Sequence, residues 1–575
     1  MTEPVRFIRR GSGLPSPATE YPQYRPIRET SVSTPNPRER GAVINALQID
    51  HATFRKSFAE ELRGEPRAGN RPRQVPGYCY SPVAPTPVRD PHLLAWSDDL
   101  AALLGLARPA ERGPAVDALA GNLVTPSMKP FAARYGGHQF GSWAGQLGDG
   151  RAISLGELAA RDGSSWEVQL KGAGPTPYSR QGDGRAVLRS SLREFLCSES
   201  MHHLGVPTTR ALSLVATGDT VIRDMFYLGD PRPEPGAIVA RVAPTFIRFG
   251  NFELMTSRRE LDNLRALADY VLRHHYSELG PPSEEAYLRL FEEICRRTAV
   301  MIAHWLAVGF VHGVMNTDNM SILGVTIDYG PYGWLEPYDP DWTPNTTDFD
   351  HRRYTYGQQP AVALWNLSML ARSLSPLVSE GEGLLRGLET YRSTYGQTHH
   401  EMMLRKLGLT PLDPEDDSML IDDLHRSLMD SEVDMTLFFR KLSDTATGLL
   451  SGGDPEEPLF RALIAETTYS ASERPEHDAL LEWLRRHLRR LRREPAGAET
   501  IREGMRRANP KYVLRNYLAQ KAIEGAQAGD LSYLESLMRV LEKPYDEQPE
   551  HEEFARKRPE WARTKPGCAT LSCSS

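Results

Sequence analysis

Six glycines fall within the fifteen residues from Gly136 to Gly150, and the block closes on Gly148-Asp-Gly150-Arg151 before the strand-like run Ala152-Ile-Ser-Leu-Gly156. Lacking a Cβ, glycine lets backbone N–H groups close on an anion such as a phosphate. By itself the pattern reads as readily as a plain turn before a strand. Twenty-one residues after Gly150, Lys171 ends the alternating run Trp166-Glu-Val-Gln-Leu-Lys171, and Glu194 follows 23 residues later inside a helical pattern. A strand lysine held by a helix glutamate fixes a cation against nucleotide phosphates. Singly, Lys171 is as readily a solvated strand-end lysine and Glu194 an ordinary surface carboxylate. Further along, His312 precedes Asn319 by seven residues, and Asp328-Tyr-Gly330 begins nine residues beyond Asn319. An amide oxygen and a carboxylate at neighbouring strand ends are hard donors suited to Mg²⁺, which takes one or two protein oxygens together with phosphates.

Glycine-rich loop, lysine, glutamate, His…Asn loop and Asp-x-Gly stand in the order in which a protein kinase carries them. The spacing therefore predicts a kinase-like fold. One position breaks the pattern: two residues after His312, where the kinase base belongs, stands Val314, which cannot accept a proton. The nearest carboxylate is Asp318, directly before Asn319. Either the chain is a catalytically silent scaffold, or it performs phosphate chemistry with a different geometry. Arg241 and Arg248, framing Ala240-Arg-Val-Ala-Pro-Thr-Phe-Ile-Arg248 near the expected lobe junction, favour the second reading, because guanidinium groups suit bidentate phosphate contact.

The elements that must position these residues divide the 575-residue chain into five parts. Residues 1–44 are polar and Pro-rich and are expected to be disordered. Residues 45–95 should wrap a surface rather than fold alone, with a short helical pattern from Leu93 to Leu106 leading onward. Residues 96–250 should form a kinase-like N-lobe, with strands near 166–171 and 209–241 and a helix over 190–204. Residues 251–550 read as a helical C-lobe carrying the catalytic and metal loops, beginning with a long helix over 283–308. Residues 551–575 should be a flexible tail holding Cys568 and Cys573. The predicted class is α+β, a two-lobe protein-kinase-like fold with terminal extensions.

Composition excludes several other classes. With 68 basic and 75 acidic residues the net charge is −7, which argues against an electrostatic nucleic-acid binder. Five cysteines are too few for a disulfide-built secreted protein. The longest strongly apolar stretch, Ala299 to Met315, is interrupted by His304 and His312 and is shorter than the ~20 residues of a membrane span. The N-terminal residues fit neither a signal peptide nor a transit peptide. The arginine run 484–493 has leucines at helical spacing and reads as one packed face and one solvated basic face. His400-Glu401 lacks the second histidine of a zincin. The expectation is a monomeric cytoplasmic enzyme, mitochondrial only from a eukaryotic source, with no nucleic-acid or membrane partner.

Longer motifs add a resemblance. Gly136-Gly-His-Gln-Phe-Gly-Ser-Trp-Ala-Gly-Gln-Leu-Gly-Asp-Gly-Arg-Ala152, Gln169-Leu-Lys-Gly-Ala-Gly-Pro-Thr-Pro-Tyr-Ser-Arg180, Ser190-Ser-Leu-Arg-Glu-Phe195 and the 312–330 block are similar to those of the selenoprotein O family. So are Asn509-Pro-Lys-Tyr-Val-Leu-Arg-Asn516, Lys543-Pro-Tyr-Asp546 and Cys573-Ser-Ser575, so that the resemblance runs from about residue 75 to the end. It implies a pseudokinase fold that binds ATP in a flipped orientation and, with Mg²⁺ or Mn²⁺, transfers AMP to Ser, Thr or Tyr hydroxyls of protein substrates, in a redox or stress context. By the same resemblance, Gly148, Gly150 and Arg151 would hold the nucleotide, with Asp183 and Gly184 contributing contacts. Lys171, Arg241 and Arg248 would contact phosphates and Glu194 would orient Lys171. Asn319 and Asp328 would hold the metal, with Asp328 also at the nucleotide, and Asp318 would act as the base. Two departures stand out. Cys573 occupies the place where many eukaryotic members carry selenocysteine. The 329–360 segment has no cysteine, with Pro344 near the place where some members have one, so a redox latch of that design is in doubt, although Cys568 and Cys573 could still react. A conventional phosphotransferase using Asp318 and a silent nucleotide-binding scaffold remain alternatives, and UTP is not excluded as the donor.

Overall fold

Among the described residues there are eleven strands, in chain order β1 (Tyr80–Pro82), β2 (His92–Trp96), β3 (Phe131–Ala133), β4 (His138–Gln139), β5 (Ser142–Trp143), β6 (Ala152–Ala159), β7 (Ser165–Lys171), β8 (Arg210–Arg223), β9 (Arg232–Ala243), β10 (Phe310–Val311) and β11 (Gly333–Trp334). Seven form one antiparallel sheet in the order β1-β3-β6-β7-β9-β8-β2. The computed structural model describes residues 46–572 except 451, 453–454 and 470–474. The expectation of disorder over 1–44 and the whole of Cys573 lie outside the described residues.

Alternation along β7 sets the arrangement. Val168 and Leu170 point into a core that also holds Trp96, Leu100, Val116, Leu119, Ile153 and Val242, while Glu167, Gln169 and Lys171 take the opposite face. On that face the helix Leu188–His203 packs Leu192, Phe195 and Leu196 against Leu214, Ala237 and Val239, in a core that continues into the helical lobe. The helical lobe begins with Phe249–Ser257 and is built around Glu284–Val308, whose N-terminus is capped by Ser283 accepting a hydrogen bond from the Ala286 N–H at 3.1 Å. Sheet lobe, helical lobe and the cleft between them make the expected α+β, protein-kinase-like arrangement.

Three expectations need correction. Residues 93–96 are not helical: β2 pairs with Ser213–Ala216, and the helix starts only at Asp98. A free edge on β8 offers hydrogen bonds that outweigh the local helical pattern. The 45–95 segment therefore does more than wrap, since β1 and β2 are the two edge strands of the sheet. The tail is not loose over its described part. Leu571 donates its N–H to the Pro344 carbonyl and accepts from Thr346, Asn516 donates to the Cys568 carbonyl, and Ser572 bonds to Met225. Leu571 and Cys568 are buried. Composition did not reveal this docking because the tail is held mainly through its backbone.

The arginine run lies on the helix Pro475–Leu491 and its end, and its charges are spent on neighbours: Arg485 on Glu457, Arg486 on Asp423, Arg490 on Asp417 and Glu494, and Arg492 on Glu456. Arg515, in the 509–516 motif, forms a buried bidentate pair with Asp434 at 2.8 and 2.9 Å, and Asn509 donates to the Lys406 carbonyl. No described helix is long and apolar enough to cross a membrane.

Lys406 is buried, with its ammonium 4.3 Å from the Phe439 ring centre. Burial drives its pKa from 10.5 down to about 7. Between those values the unfolded chain binds a proton that the folded chain has released, so this residue makes stability rise with pH across that window. Lys406→Met removes the buried charge. Its unfolding midpoint is expected to exceed that of the parent most at pH 7, with the gap closing toward pH 10; thermal melts of both proteins across that range check this, and a pH-independent gap would contradict it.

Candidate active site

The cleft between the lobes has a volume of about 930 Å³, large enough for a nucleotide. Gly148, Gly150, Arg151, Lys171, Asp183, Gly184, Arg241, Val314, Asp318, Asn319 and Asp328 all line it. Glu194 and Arg248 stand behind this lining, both buried. Sequence positions spread over 180 residues thus converge.

At the floor, Lys171 Nζ lies 2.7 Å from Glu194 Oε2 and 3.4 Å from Asp328 Oδ1. β9 pairs with β7 so that Arg241 faces Gln169, two residues before Lys171 on the same side of the strand. From there Arg241 reaches Glu194 at 3.1 Å, Asp328 Oδ1 and the Gln169 amide oxygen. Arg248 pairs with Asp328 Oδ2 and donates to the Asp318 carbonyl at 2.8 Å, with its guanidinium 4.6 Å from the Tyr135 ring centre. Its Nη2 is buried without a hydrogen-bond partner among the described residues. Arg248 was expected to be a direct phosphate contact; it is instead enclosed behind Asp328.

Asp328 is held in the left-handed region at φ 57°. Burial works to raise its pKa, but Arg248, Arg241 and Lys171 outweigh that and hold the carboxyl well below the usual range. For Lys171 burial wins, lowering its pKa against the opposing pull of Glu194 and Asp328. His312 is neutralised by burial, bonds through Nε2 to the Ile327 carbonyl at 2.9 Å, and stacks on Trp305, a structural role that ties the catalytic loop to the Asp328 loop. Asn319 donates its amide to the Val314 carbonyl at 2.9 Å, which leaves its oxygen as the end suited to a cation. Asp318, one residue earlier, is pushed up to about 7 by burial, against a lowering hydrogen bond from Gln139. Its Oδ1 is buried without a hydrogen-bond partner among the described residues.

The glycine-rich wall is built by close approach. A Cβ on Gly148, whose φ is +145°, would lie 2.4 Å from the Tyr178 ring. Thr176 Oγ1 donates to the Asp149 carbonyl at 2.6 Å, and Ser179 bonds to the Gly150 carbonyl. At the mouth, Asp183 is paired with Arg223 at 2.6 Å, and Gly184 packs so tightly on Gly174 that no Cβ fits. Cys568 is outside the cleft, with its thiol raised to about 11 by burial.

Sequence reasoning missed Gln169, Asp149, Tyr178 and Gln139. Strand alternation alone places Gln169 on the face of Lys171. Nothing local marks Tyr178, whose ring packs on Gly148 and whose hydroxyl meets Ser81 Oγ at 2.9 Å. Away from the cleft, Asp99, His202 and His203 bring donor atoms within 4.8 Å of one another, but Arg210 already holds both Asp99 oxygens at 2.9 Å.

A family model described as protein adenylyltransferase SelO matches residues 70–542. Among similar proteins, the protein nucleotidyltransferase YdiU of Nitrosospira multiformis is 55% identical over 559 residues, covering 93% of this chain and 98% of the relative. Those of Xanthomonas campestris pv. campestris strain B100 and Rhodopirellula baltica are 54% and 53% identical, covering 92% and 91% of this chain and 100% and 99% of the relatives. A solved structure, ROP2 from Toxoplasma gondii, described as a virulence factor with a protein-kinase fold and no enzymatic activity, is 15% identical with a TM-score of 0.19, covering 48% of this chain and 81% of that one. With a family model over most of its length and relatives more than half identical nearly from end to end, the chain belongs to the SelO family of protein adenylyltransferases.

Proposed function

We propose that the cleft binds ATP together with Mg²⁺ or Mn²⁺ and transfers AMP to Ser, Thr or Tyr hydroxyls of protein substrates, with Asp318 as general base. The observation that carries this reading is the cleft wall on which Val314 occupies the usual base position while Asp318, buried and with one oxygen unpartnered, stands beside Asn319. In the proposed step the acceptor hydroxyl gives its proton to Asp318. Its oxygen bonds to the α-phosphorus, the bond from that phosphorus to the α,β-bridging oxygen breaks, and pyrophosphate leaves with the electron pair.

Charge balance at the floor supports phosphate binding there. Lys171, Arg241 and Arg248 supply three positive charges against Asp328 and Glu194, one more than those two carboxylates neutralise. Phosphate oxygens competing for Lys171 and Arg241 would free Asp328 Oδ1 to share a divalent cation with the Asn319 oxygen. The cation, when bound, would supply charge neutralisation at the phosphates. Gly148, Gly150 and Arg151 would hold the polyphosphate from the sheet lobe, Glu194 would keep Lys171 in place, and Asp183 and Gly184 would contact the nucleotide at the mouth.

Incubation with Mg²⁺ or Mn²⁺ and ATP labelled at either the α- or the γ-phosphate tests the reading. Label is expected on protein from the α position only, and to be lost in Asp328→Ala. Protein-bound γ label would instead make the chain a phosphotransferase. A second expectation concerns stability: Arg248→Met leaves the Asp318 carbonyl and one Asp328 oxygen short of a buried partner, at a cost of roughly 3 kcal/mol. Chemical unfolding should show a clearly lower midpoint, and ATP should no longer raise it; an unchanged midpoint would mean that the pair contributes nothing to folding.

A further inference from the structure

The glycine block does two separate things. Its end, Leu147 to Arg151, lines the cleft as a phosphate loop would. The first ten residues form the β4–β5 hairpin, which docks on the catalytic loop. The Gly136 N–H bonds to the Gly250 carbonyl at 2.9 Å, the His138 N–H to Thr317 Oγ1 at 2.7 Å, and the Phe140 N–H to Asn316 Oδ1 at 3.2 Å. Two of these three partners lie within three residues of Asp318. Hydrogen bonds of this number and spacing fix one loop against another, and they hold the hairpin at the proposed base.

Both Asp318 oxygens meet this hairpin. Gln139 Nε2 donates to Oδ2 at 3.2 Å. Oδ1 lies against Gly137, where a Cβ would stand 2.5 Å from it and 2.9 Å from the Asp318 Cβ. The absence of a side chain at Gly137 is what allows the hairpin this close. Gln139 itself lines the cleft beside Asp318. A carboxylate oxygen has two acceptor positions, so Oδ2 can hold the amide hydrogen of Gln139 and still receive a second proton donor.

The geometry points to Gln139 as a positioning residue for the transfer reaction: its amide, carried on a hairpin that Gly137 lets close on the catalytic loop, sets the rotation of the Asp318 carboxylate toward the incoming hydroxyl. This inference rests on Asp318 being the base. Gln139 acts through Asp318 and neither gives nor takes a proton in the step written above. Its contribution falls on the chemical step, because its donor serves the base and none of the floor cations that would take the phosphates.

Full-length Gln139→Leu and Gln139→Glu are compared with the parent and with Asp318→Asn, using α-labelled ATP, Mn²⁺ and casein as the acceptor protein. Both Gln139 variants are expected to lose at least ~10-fold in kcat, since small misplacements of a reacting group cost that much or more. KM for ATP and the calorimetric ATP Kd should stay within about twofold, a split that a merely structural role would not give. An unchanged kcat, or a loss carried by KM and ATP affinity together, would overturn the inference. Should Gln139→Leu fold poorly, Gln139→Glu, which keeps size and polarity but replaces the donor, decides by the same split. The two readings fail separately. Wild-type transfer by Asp318→Asn removes the base and this inference with it, whereas an inactive Asp318→Asn beside a fully active Gln139→Leu removes the inference alone.

Discussion

The carboxylate of Asp328 is the point on which the site depends. Three cations from three different elements meet there: Lys171 from the end of β7, Arg241 from β9 and Arg248 from the start of the helical lobe. Burying so many charges costs desolvation that only close pairing offsets. Burial and opposing charge act oppositely on Asp328, and charge wins. The sheet delivers two of the cations because β7 and β9 are in register at Gln169 and Arg241. The backbone supplies the rest: Asp328 sits at φ 57°, and the neutral His312 bonds to the carbonyl of the residue before it. Because the cluster carries more positive than negative charge, an anion arriving in the cleft has Lys171 and Arg241 to take from Asp328 rather than new cations to bring in.

Much of this was legible in the sequence, for specific reasons. Lys171 could be placed because period-two alternation before it predicts a strand and the glycines upstream predict a loop at its other end. Glu194 followed from helical periodicity over 190–204, and the structure has that helix at Leu188–His203. Asn319 and Asp328 were found from spacing, since a short loop and a hairpin turning at Gly324 hold both ends of the segment near each other. Val314 was informative because an apolar residue at a base position is chemically incompatible with that role.

What sequence did not give is long-range pairing. The Leu93–Trp96 segment reads as helix in isolation, yet it is β2, because the edge of β8 supplies hydrogen bonds that no local pattern encodes. The tail reads as loose from its charges, yet its described part lies along residues 344–346 through backbone groups that composition does not reveal. Arg248 reads as a surface arginine or a direct phosphate contact, and its enclosure behind Asp328 depends on Tyr135 and the Asp318 carbonyl, which lie 113 residues before it and 70 residues after it in sequence. The glycine block shows the same limit in another form. Its composition suggests one anion-binding loop, whereas tertiary contacts divide it into a phosphate-loop end and a hairpin on the catalytic loop.

In the proposed reaction the α-phosphate, rather than the γ-phosphate, is presented to Asp318. A crystal structure of the chain with Mn²⁺ and an ATP analogue whose α,β bridge cannot be cleaved tests it most directly. The α-phosphorus is expected beside the Asp318 carboxylate, with manganese anomalous signal between Asn319 and Asp328. A nucleotide lying the other way, with its γ-phosphorus at Asp318 and its α-phosphate remote from that carboxylate, would contradict it.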